Sequence, residues 1–376
     1  MYLSEAKKRV MKVESFAVHG APSEYILNED VLEQLEAKLL ERGSQKVLVV
    51  HGIKSWQAAK PFWPEFTQIK FEEYTYGGEC SITEIETLKK NVDKNSYDVL
   101  IAVGGGKVLD LVKAVSHLTH KSFVLVPTLA SNCSPWTPLS VIYDESGAFI
   151  RYDIYPNSAS LVVIEPRILV NAPINLLIAG IGDTLAKWYE ADVQMSIIEN
   201  KPVPLQISHY AARQCKEILL AHSAGAIQAA ETGILNDDFV KVAETIIVLA
   251  GMVGGFGDQY GRIAGAHAIH NGLTILEETH QALHGEKVAY GILVQLVLEE
   301  KWEEIQQLIP FYQTLSLPVS LIQLGVKQIT EAIINAVAQK SVIPEESIHV
   351  MPIGPITASR VSEAIANLEQ RGGYYA

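Results

Sequence analysis

Four short runs of aliphatic residues constrain this chain most. They are Lys46-Val47-Leu48-Val49-Val50, Asp98-Val99-Leu100-Ile101-Ala102-Val103, Phe123-Val124-Leu125-Val126 and Leu161-Val162-Val163-Ile164. Continuous Val, Ile and Leu bounded by turn residues reads as strands buried on both faces. Between these runs, segments 31–42, 82–93 and 108–118 space their apolar residues three and four apart, the helical period. Strands alternating with helices predict a parallel α/β sheet. Ser81 reads as an N-cap, with Glu84 completing a capping box. After about residue 170 the strand signals fade. Helical patterns follow at 205–220, 238–253, 286–308 and 327–339, punctuated by Leu317-Pro318. The expectation is an α/β domain over 1–165 and an all-helical domain over 166–376, meeting at a cleft.

The chain has 376 residues, enough for two to three domains at ~150 residues each. With 48% hydrophobic and 19% charged residues it can bury large cores, which excludes a mostly disordered chain. The net charge of −13, from 43 acidic and 30 basic residues, repels phosphate backbones and anionic headgroups. Nucleic acid and membranes are therefore not expected as partners. The opening MYLSEAKKRVMKVESF has no apolar signal core, and no unbroken apolar run reaches the ~18 residues of a membrane span. Three dispersed cysteines, Cys80, Cys133 and Cys215, suit a reducing compartment. The expected location is the cytoplasm.

Gly104-Gly105-Gly106-Lys107 follows one strand directly and opens a helix. Such a loop allows a close backbone approach, and the helix start offers free N–H groups to a phosphate. A tight strand-to-helix turn without ligand is the other reading. The loop is neither a Walker A motif, since Val108 follows Lys107, nor Gly-x-Gly-x-x-Gly, since residue 109 is Leu. Eleven histidines are scattered along the chain. His267 and His270 lie three apart and share a helix face. His284 precedes Gly285-Glu286-Lys287, and Asp183 follows Gly180-Ile181-Gly182 at the start of a helical stretch. Imidazole and carboxylate are the usual ligands of zinc and iron(II). Spacing alone leaves open whether these residues bind metal or merely hydrogen-bond one another.

Taken in order, Gly104-Gly105-Gly106-Lys107-x-x-Asp110, Pro127-Thr128-Leu129-Ala130-Ser131, Leu139-Ser140-Val141-Ile142-Tyr143, Gly182-Asp183-x-Leu185-Ala186, His267-Ala268-Ile269-His270-Asn271-Gly272 and His284-Gly285-Glu286-Lys287-Val288-Ala289 form one series. The series resembles the glycerol dehydrogenase-like branch of the iron-containing alcohol dehydrogenase family, and within it the hydroxycarboxylate dehydrogenases. The resemblance implies the dehydroquinate synthase fold: a nucleotide-binding α/β domain and a helical domain, with nicotinamide cofactor and divalent metal in the cleft. It implies Asp183, His267 and His284 as metal ligands. It implies cofactor contacts from Gly104, Gly105, Gly106, Lys107, Asp110, Thr128, Ser131, Thr137, Leu139 and Tyr143. Iron-binding members carry a further histidine where this chain has Lys187, which points to zinc.

The departures from the family are equally informative. Cys133 stands where glycerol dehydrogenases carry a glycerol-binding aspartate, and Trp136 is bulkier than the family's residue there. Losing that carboxylate and gaining Lys187 beside Asp183 favours a substrate with its own carboxylate, a 2-oxo or 2-hydroxy acid. The first strand ends in Val50-His51-Gly52-Ile53-Lys54 without the acid that NAD-preferring members use. His51 and Lys54 thus favour NADP(H), while NAD(H) stays compatible. His270 is the candidate proton relay, with Lys187 orienting the substrate. A glycerol, polyol or alcohol dehydrogenase is the alternative. Lyase chemistry on a phosphorylated sugar fits poorly, because only Arg262 and Lys287 lie in 260–290. A non-catalytic metabolite sensor is disfavoured by the intact ligand set. The family commonly forms homo-oligomers.

Overall fold

The four aliphatic runs form the centre of one sheet. This computed structural model describes residues 13–372. Strands β1 (Tyr25–Leu27), β2 (Lys46–His51), β3 (Lys70–Thr75), β4 (Val99–Gly104) and β5 (Ser122–Pro127) precede the hairpin strands β6 (Leu139–Tyr143) and β7 (Phe149–Ile154), and β8 (Leu161–Ile164) follows. Six strands lie parallel in the order β1–β8–β5–β4–β2–β3, while β6 and β7 pair antiparallel as a separate ribbon. Every residue of β4 is buried, as a strand covered on both faces requires. From β2 the chain runs outward to β3, then returns to β4 on the other side of β2. The carboxyl ends of β2 and β4 therefore flank the switch point, where open α/β sheets bind ligands.

The first half holds helices α1 (Leu35–Glu41), α2 (Ile53–Ala59), α3 (Ile82–Asn95) and α4 (Gly106–Thr119). From Pro166 onward every regular element among the described residues is helical. These are α5 (Pro166–Val170), α6 (Ile174–Met195), α7 (Val203–Thr232), α8 (Asp237–Glu244), α9 (Ala250–Gly257) and α10 (Gly265–Leu273). They continue with α11 (His284–Leu298), α12 (Trp302–Leu315), α13 (Glu331–Ser341) and α14 (Ala358–Gly372). The parallel α/β sheet followed by helices is the fold class expected from the sequence. One continuous apolar core runs from the strands through α6 and α11 to Leu368.

Several local expectations need correction. The pattern at 286–308 is two helices, because Glu300 turns the chain with φ 62° between α11 and α12. Only half of the capping box forms. Ser81 Oγ accepts the Glu84 N–H, but the Glu84 carboxylate accepts instead from Tyr74 Oη and the Gly77 N–H. Segment 31–42 opens with a 3-10 turn, Val31–Gln34, before α1. Helices α8 and α9 join through one π-helical turn, Thr245–Leu249. The stretch Asp237–Tyr260 is long and apolar enough to match a membrane span by composition, yet 61% of its apolar window is buried inside the protein, as in a core helix.

Candidate active site

Helix α6 carries Gly180, Asp183, Lys187 and Glu190, spaced three and four apart so that they form one stripe. Asp183 thus lies mid-helix rather than at a helix start. Glycines let neighbouring elements reach this stripe. A Cβ at Gly182 would sit 2.6 Å from the Gly285 carbonyl oxygen, and one at Gly285 would overlap the carbonyl of Ala179. This close crossing of α6 with the start of α11 sets His284 beside Asp183.

The three residues then converge. His267 Nε2 lies 3.3 Å and His284 Nε2 3.5 Å from Asp183 Oδ1, and the three donor atoms fall within 4.8 Å of one another. Asp183 Oδ1 is buried and accepts no aligned hydrogen bond. An orphaned buried carboxylate oxygen facing two imidazole nitrogens is costly unless a cation fills the gap. The donor set, two nitrogens and one oxygen, suits a divalent metal with an open position. Burial alone would push the Asp183 carboxyl up, but Lys187 and the two histidines outweigh it and hold the carboxyl well below its ordinary value.

Outer hydrogen bonds set the tautomers of both histidines. Glu190, wholly buried, accepts the backbone N–H of Ala264 at 2.7 Å and of His267 at 2.9 Å through Oε1. It thereby caps α10, whose N-cap side chain, Ala264, cannot. Its Oε2 lies 2.7 Å from His267 Nδ1, so Nδ1 carries the proton and Nε2 faces Asp183. The second chain runs from Glu346. Its carboxylate can only accept, so it draws the Asn271 Nδ2 donor at 3.0 Å. Asn271 Oδ1 is thereby turned to His270 Nδ1 at 3.0 Å, leaving His270 Nε2 to accept from His284 Nδ1 at 3.0 Å. His284 Nε2 is left as a lone pair toward Asp183. Burial, then the neighbouring His284 and His267, hold the His270 pKa well below its ordinary value, consistent with a neutral ring.

Lys187 is buried, with its ammonium 3.5 Å from the Arg262 carbonyl oxygen. Burial works against its charge, but Asp183, with Glu190 and other nearby groups, together outweigh burial and raise its pKa. Burial pushes the Cys133 thiol up, and Lys187 is the strongest charge acting on it. Trp136 packs its indole against Gly251 of α9 and Tyr25, and donates Nε1–H to the Gly20 carbonyl at 2.9 Å.

The glycine loop sits at the carboxyl end of β4. A Cβ at Gly105 would press Leu129 Cδ1 at 2.8 Å, so packing against the next loop already demands glycine there. Gly105 is the N-cap of α4 and Gly106 its first residue, with no side chain capping that turn. Lys107 pairs with Glu79 and lies over the Tyr143 ring. Glu79 Oε2 is buried without a partner. Asp110 is buried beneath the loop, where it pairs with Lys113 at 2.8 Å and accepts Ser134 Oγ–H and the Val141 N–H. Lys113 also binds the carbonyls of Ser134, Thr137 and Leu139, so this pair shapes the 134–141 segment. Thr128 is tied by its N–H to the Gly104 carbonyl, and Ser131 backs onto Gly180 of α6. At the end of β2, His51 stacks on Trp56, while Lys54 is exposed. An acid does reach this point: Glu73, from β3, lies 3.2 Å from His51 Nε2.

Glu190, Glu346 and Glu73 support this geometry, yet the motifs assign them no role; Asn271 lies inside a motif, but its link to Glu346 does not show there. Glu190 had a signal, seven residues after Asp183 on the same helix face. Glu346 had none, since 75 residues separate it from Asn271.

Known proteins resemble this chain over most of its length. Residues 22–166 match the family described as iron-containing alcohol dehydrogenase. Hydroxycarboxylate dehydrogenase A of Escherichia coli is 37% identical over 333 residues, covering 88% of this chain and 92% of that protein. Glycerol dehydrogenase of Thermotoga maritima is 35% identical, covering 93% and 96%. The crystal structure of a probable glycerol dehydrogenase from Sinorhizobium meliloti superposes with a TM-score of 0.84 at 31% identity, over 96% of this chain and 100% of that one. The protein is an oxidoreductase acting on CH–OH groups. It belongs to the iron-containing alcohol dehydrogenase family.

Proposed function

We propose that this enzyme transfers a hydride between a nicotinamide dinucleotide and a small 2-oxo or 2-hydroxycarboxylic acid. In this reading residues 1–165 hold the nucleotide and 166–376 the metal and substrate. The observation that carries it is Lys187. Among the described residues this cation, only 9% exposed and near Asp183, has one long hydrogen bond, to a carbonyl at 3.5 Å. A buried ammonium is left undersatisfied by such a contact, and a substrate carboxylate would complete it. Cys133, kept protonated by burial, adds no negative charge to repel that carboxylate.

Asp183, His267 and His284 would hold the metal, with zinc favoured because Lys187 replaces a fourth imidazole. When bound, a divalent cation stabilises negative charge developing on the substrate oxygen, and the nicotinamide supplies or takes the hydride. Lys187 orients the acid so that its C2 faces the cofactor. Gly106 and Lys107 receive the pyrophosphate at the uncapped start of α4. For His270 the hydrogen bonds support positioning of His284 over a free proton carrier. His51 and Lys54 favour the 2′-phosphate of NADP(H), whereas Glu73 opposes it. Together they support a site that takes both dinucleotides. The strand β7 discussed below supports a homo-oligomer, and the free cysteines support a cytoplasmic location.

The test is a panel of 2-oxo acids, neutral aldehydes and polyols with NADH and NADPH, with metal content measured on the same sample. Lys187→Ala should cut kcat/KM on 2-oxo acids about a hundredfold and on neutral aldehydes far less, about 2.7 kcal/mol of selective loss. Equal loss on both would discard the carboxylate role, and preferred oxidation of glycerol would establish the polyol alternative.

A further inference from the structure

Strand β7, Phe149-Ile150-Arg151-Tyr152-Asp153-Ile154, is exposed along nearly its whole length. Phe149 is 62%, Ile150 45%, Tyr152 49% and Ile154 41% exposed. One edge of β7 pairs with β6, and among the described residues no strand pairs with the other. Proteins usually blunt such edges with lysine, proline or a covering element. This strand contains no lysine or proline.

Its sequence is self-complementary. When two β7 strands run antiparallel about a two-fold axis at Tyr152, Arg151 of each copy stands opposite Asp153 of the other. Ile150 then stands opposite Ile154. Residues 150, 152 and 154 alternate onto one face and merge into a continuous apolar stripe across both copies. Sliding the pairing by two residues places Arg151 against Arg151 or Asp153 against Asp153, so like charges exclude the neighbouring registers. Among the described residues Arg151 Nε reaches only Asp153 of its own strand, at 3.0 Å, and both side chains stay partly exposed.

We propose that β7 is the edge through which two copies of this chain join, giving a four-stranded sheet β6–β7–β7–β6 of isologous symmetry. This deepens the oligomer reading above and is independent of the substrate reading.

The experiment measures mass in solution by light scattering for the parent chain, Arg151→Asp, Asp153→Arg, and an equimolar mixture of the two variants. Each variant alone places like charges opposite one another, and its mass should fall twofold from the parent's. In the mixture every 151–153 pair across the interface is again opposite in sign, and the parent mass should return. A pair confined to one chain cannot produce that recovery. Circular dichroism on each variant confirms folding. As a second measurement, Tyr152→Cys should yield a covalent dimer under mild oxidation, because directly opposed strand residues lie within disulfide reach. A monomeric parent overturns both the oligomer reading and this surface. An oligomer insensitive to both charge reversals, or a Tyr152→Cys chain that stays monomeric on a denaturing gel, overturns the β7 surface alone.

Discussion

Two carboxylates, Glu190 and Glu346, govern how His267 and His284 present their nitrogens. Glu190 bonds His267 Nδ1, and Glu346 acts on His284 through Asn271 and His270. Removing such an outer partner typically costs a metal site about 10- to 100-fold in affinity. Glu190→Gln keeps an oxygen for the α10 backbone but loses the charge beside His267. Zinc retention against a chromogenic chelator should fall by that factor. Glu346→Gln should act differently. A glutamine amide can donate, which frees Asn271 to turn over and present Nδ2 to His270. His270 and His284 then both move their proton from Nδ1 to Nε2, a change that nitrogen-15 NMR of the imidazoles reads directly; unchanged imidazole shifts would refute the relay. Residue type and spacing left the grouping of Asp183 with His267 and His284 open, and only the family resemblance drew the three together. Glu346 was not legible, because nothing in a linear spacing links it to Asn271.

At the scale of elements, the site depends on how closely α11 approaches α6. Alanine in place of glycine usually stabilises a helix by about 1 kcal/mol. At Gly285 the added Cβ would overlap the Ala179 carbonyl, and overpacking of this kind costs about 1–3 kcal/mol or more. The clash wins, so Gly285→Ala should lower the denaturant midpoint and lose metal together. A second prediction concerns α12, tied to α6 and α7 where Glu304 accepts Tyr189 Oη–H and pairs with Lys216. Burial pushes the Glu304 carboxyl up, but Lys216 and Tyr189 pull it below its ordinary value. The stabilisation is therefore present above the unfolded value of ~4.3 and fades as pH falls through the lower folded value. Lys216→Met should cost about 1–2 kcal/mol at pH 7, and its deficit against the parent should shrink toward pH 3 in urea titrations. The central strands were legible because burial on both faces writes unbroken aliphatic runs. Edge strand β3, Lys-Phe-Glu-Glu-Tyr-Thr, was not, because its charges serve the solvent side. The break between α11 and α12 was hidden because Glu300 takes a positive φ without a glycine to mark it.

Over the whole molecule, Asp183, His267, His284 and the residues that hold them come from α6, α10, α11 and Glu346, all beyond the sheet. The glycine loop and its flanking segments come only from the sheet half. Contact between the two passes through Gly180, where a Cβ would meet the Ala130 carbonyl oxygen at 2.6 Å and the Ser131 Cα at 2.8 Å. The change from strands to helices after Ile164 was legible as a change of period, but this seam was not, because a glycine in a helix signals nothing about what lies across from it. Gly180 and Gly182, two residues apart on α6, thus meet different partners, the 130–131 segment and Gly285 at the start of α11. Gly180→Ala should push the 130–131 backbone away while leaving the α6–α11 crossing intact. Metal retention should match the parent, while KM for the dinucleotide should rise about tenfold, a loss of about 1.4 kcal/mol in binding. Gly285→Ala should show the reverse, with metal lost first. If Gly180→Ala released metal as readily as Gly285→Ala, the seam would not separate the two functions, and the arrangement of Asp183, His267 and His284 would depend on the sheet half.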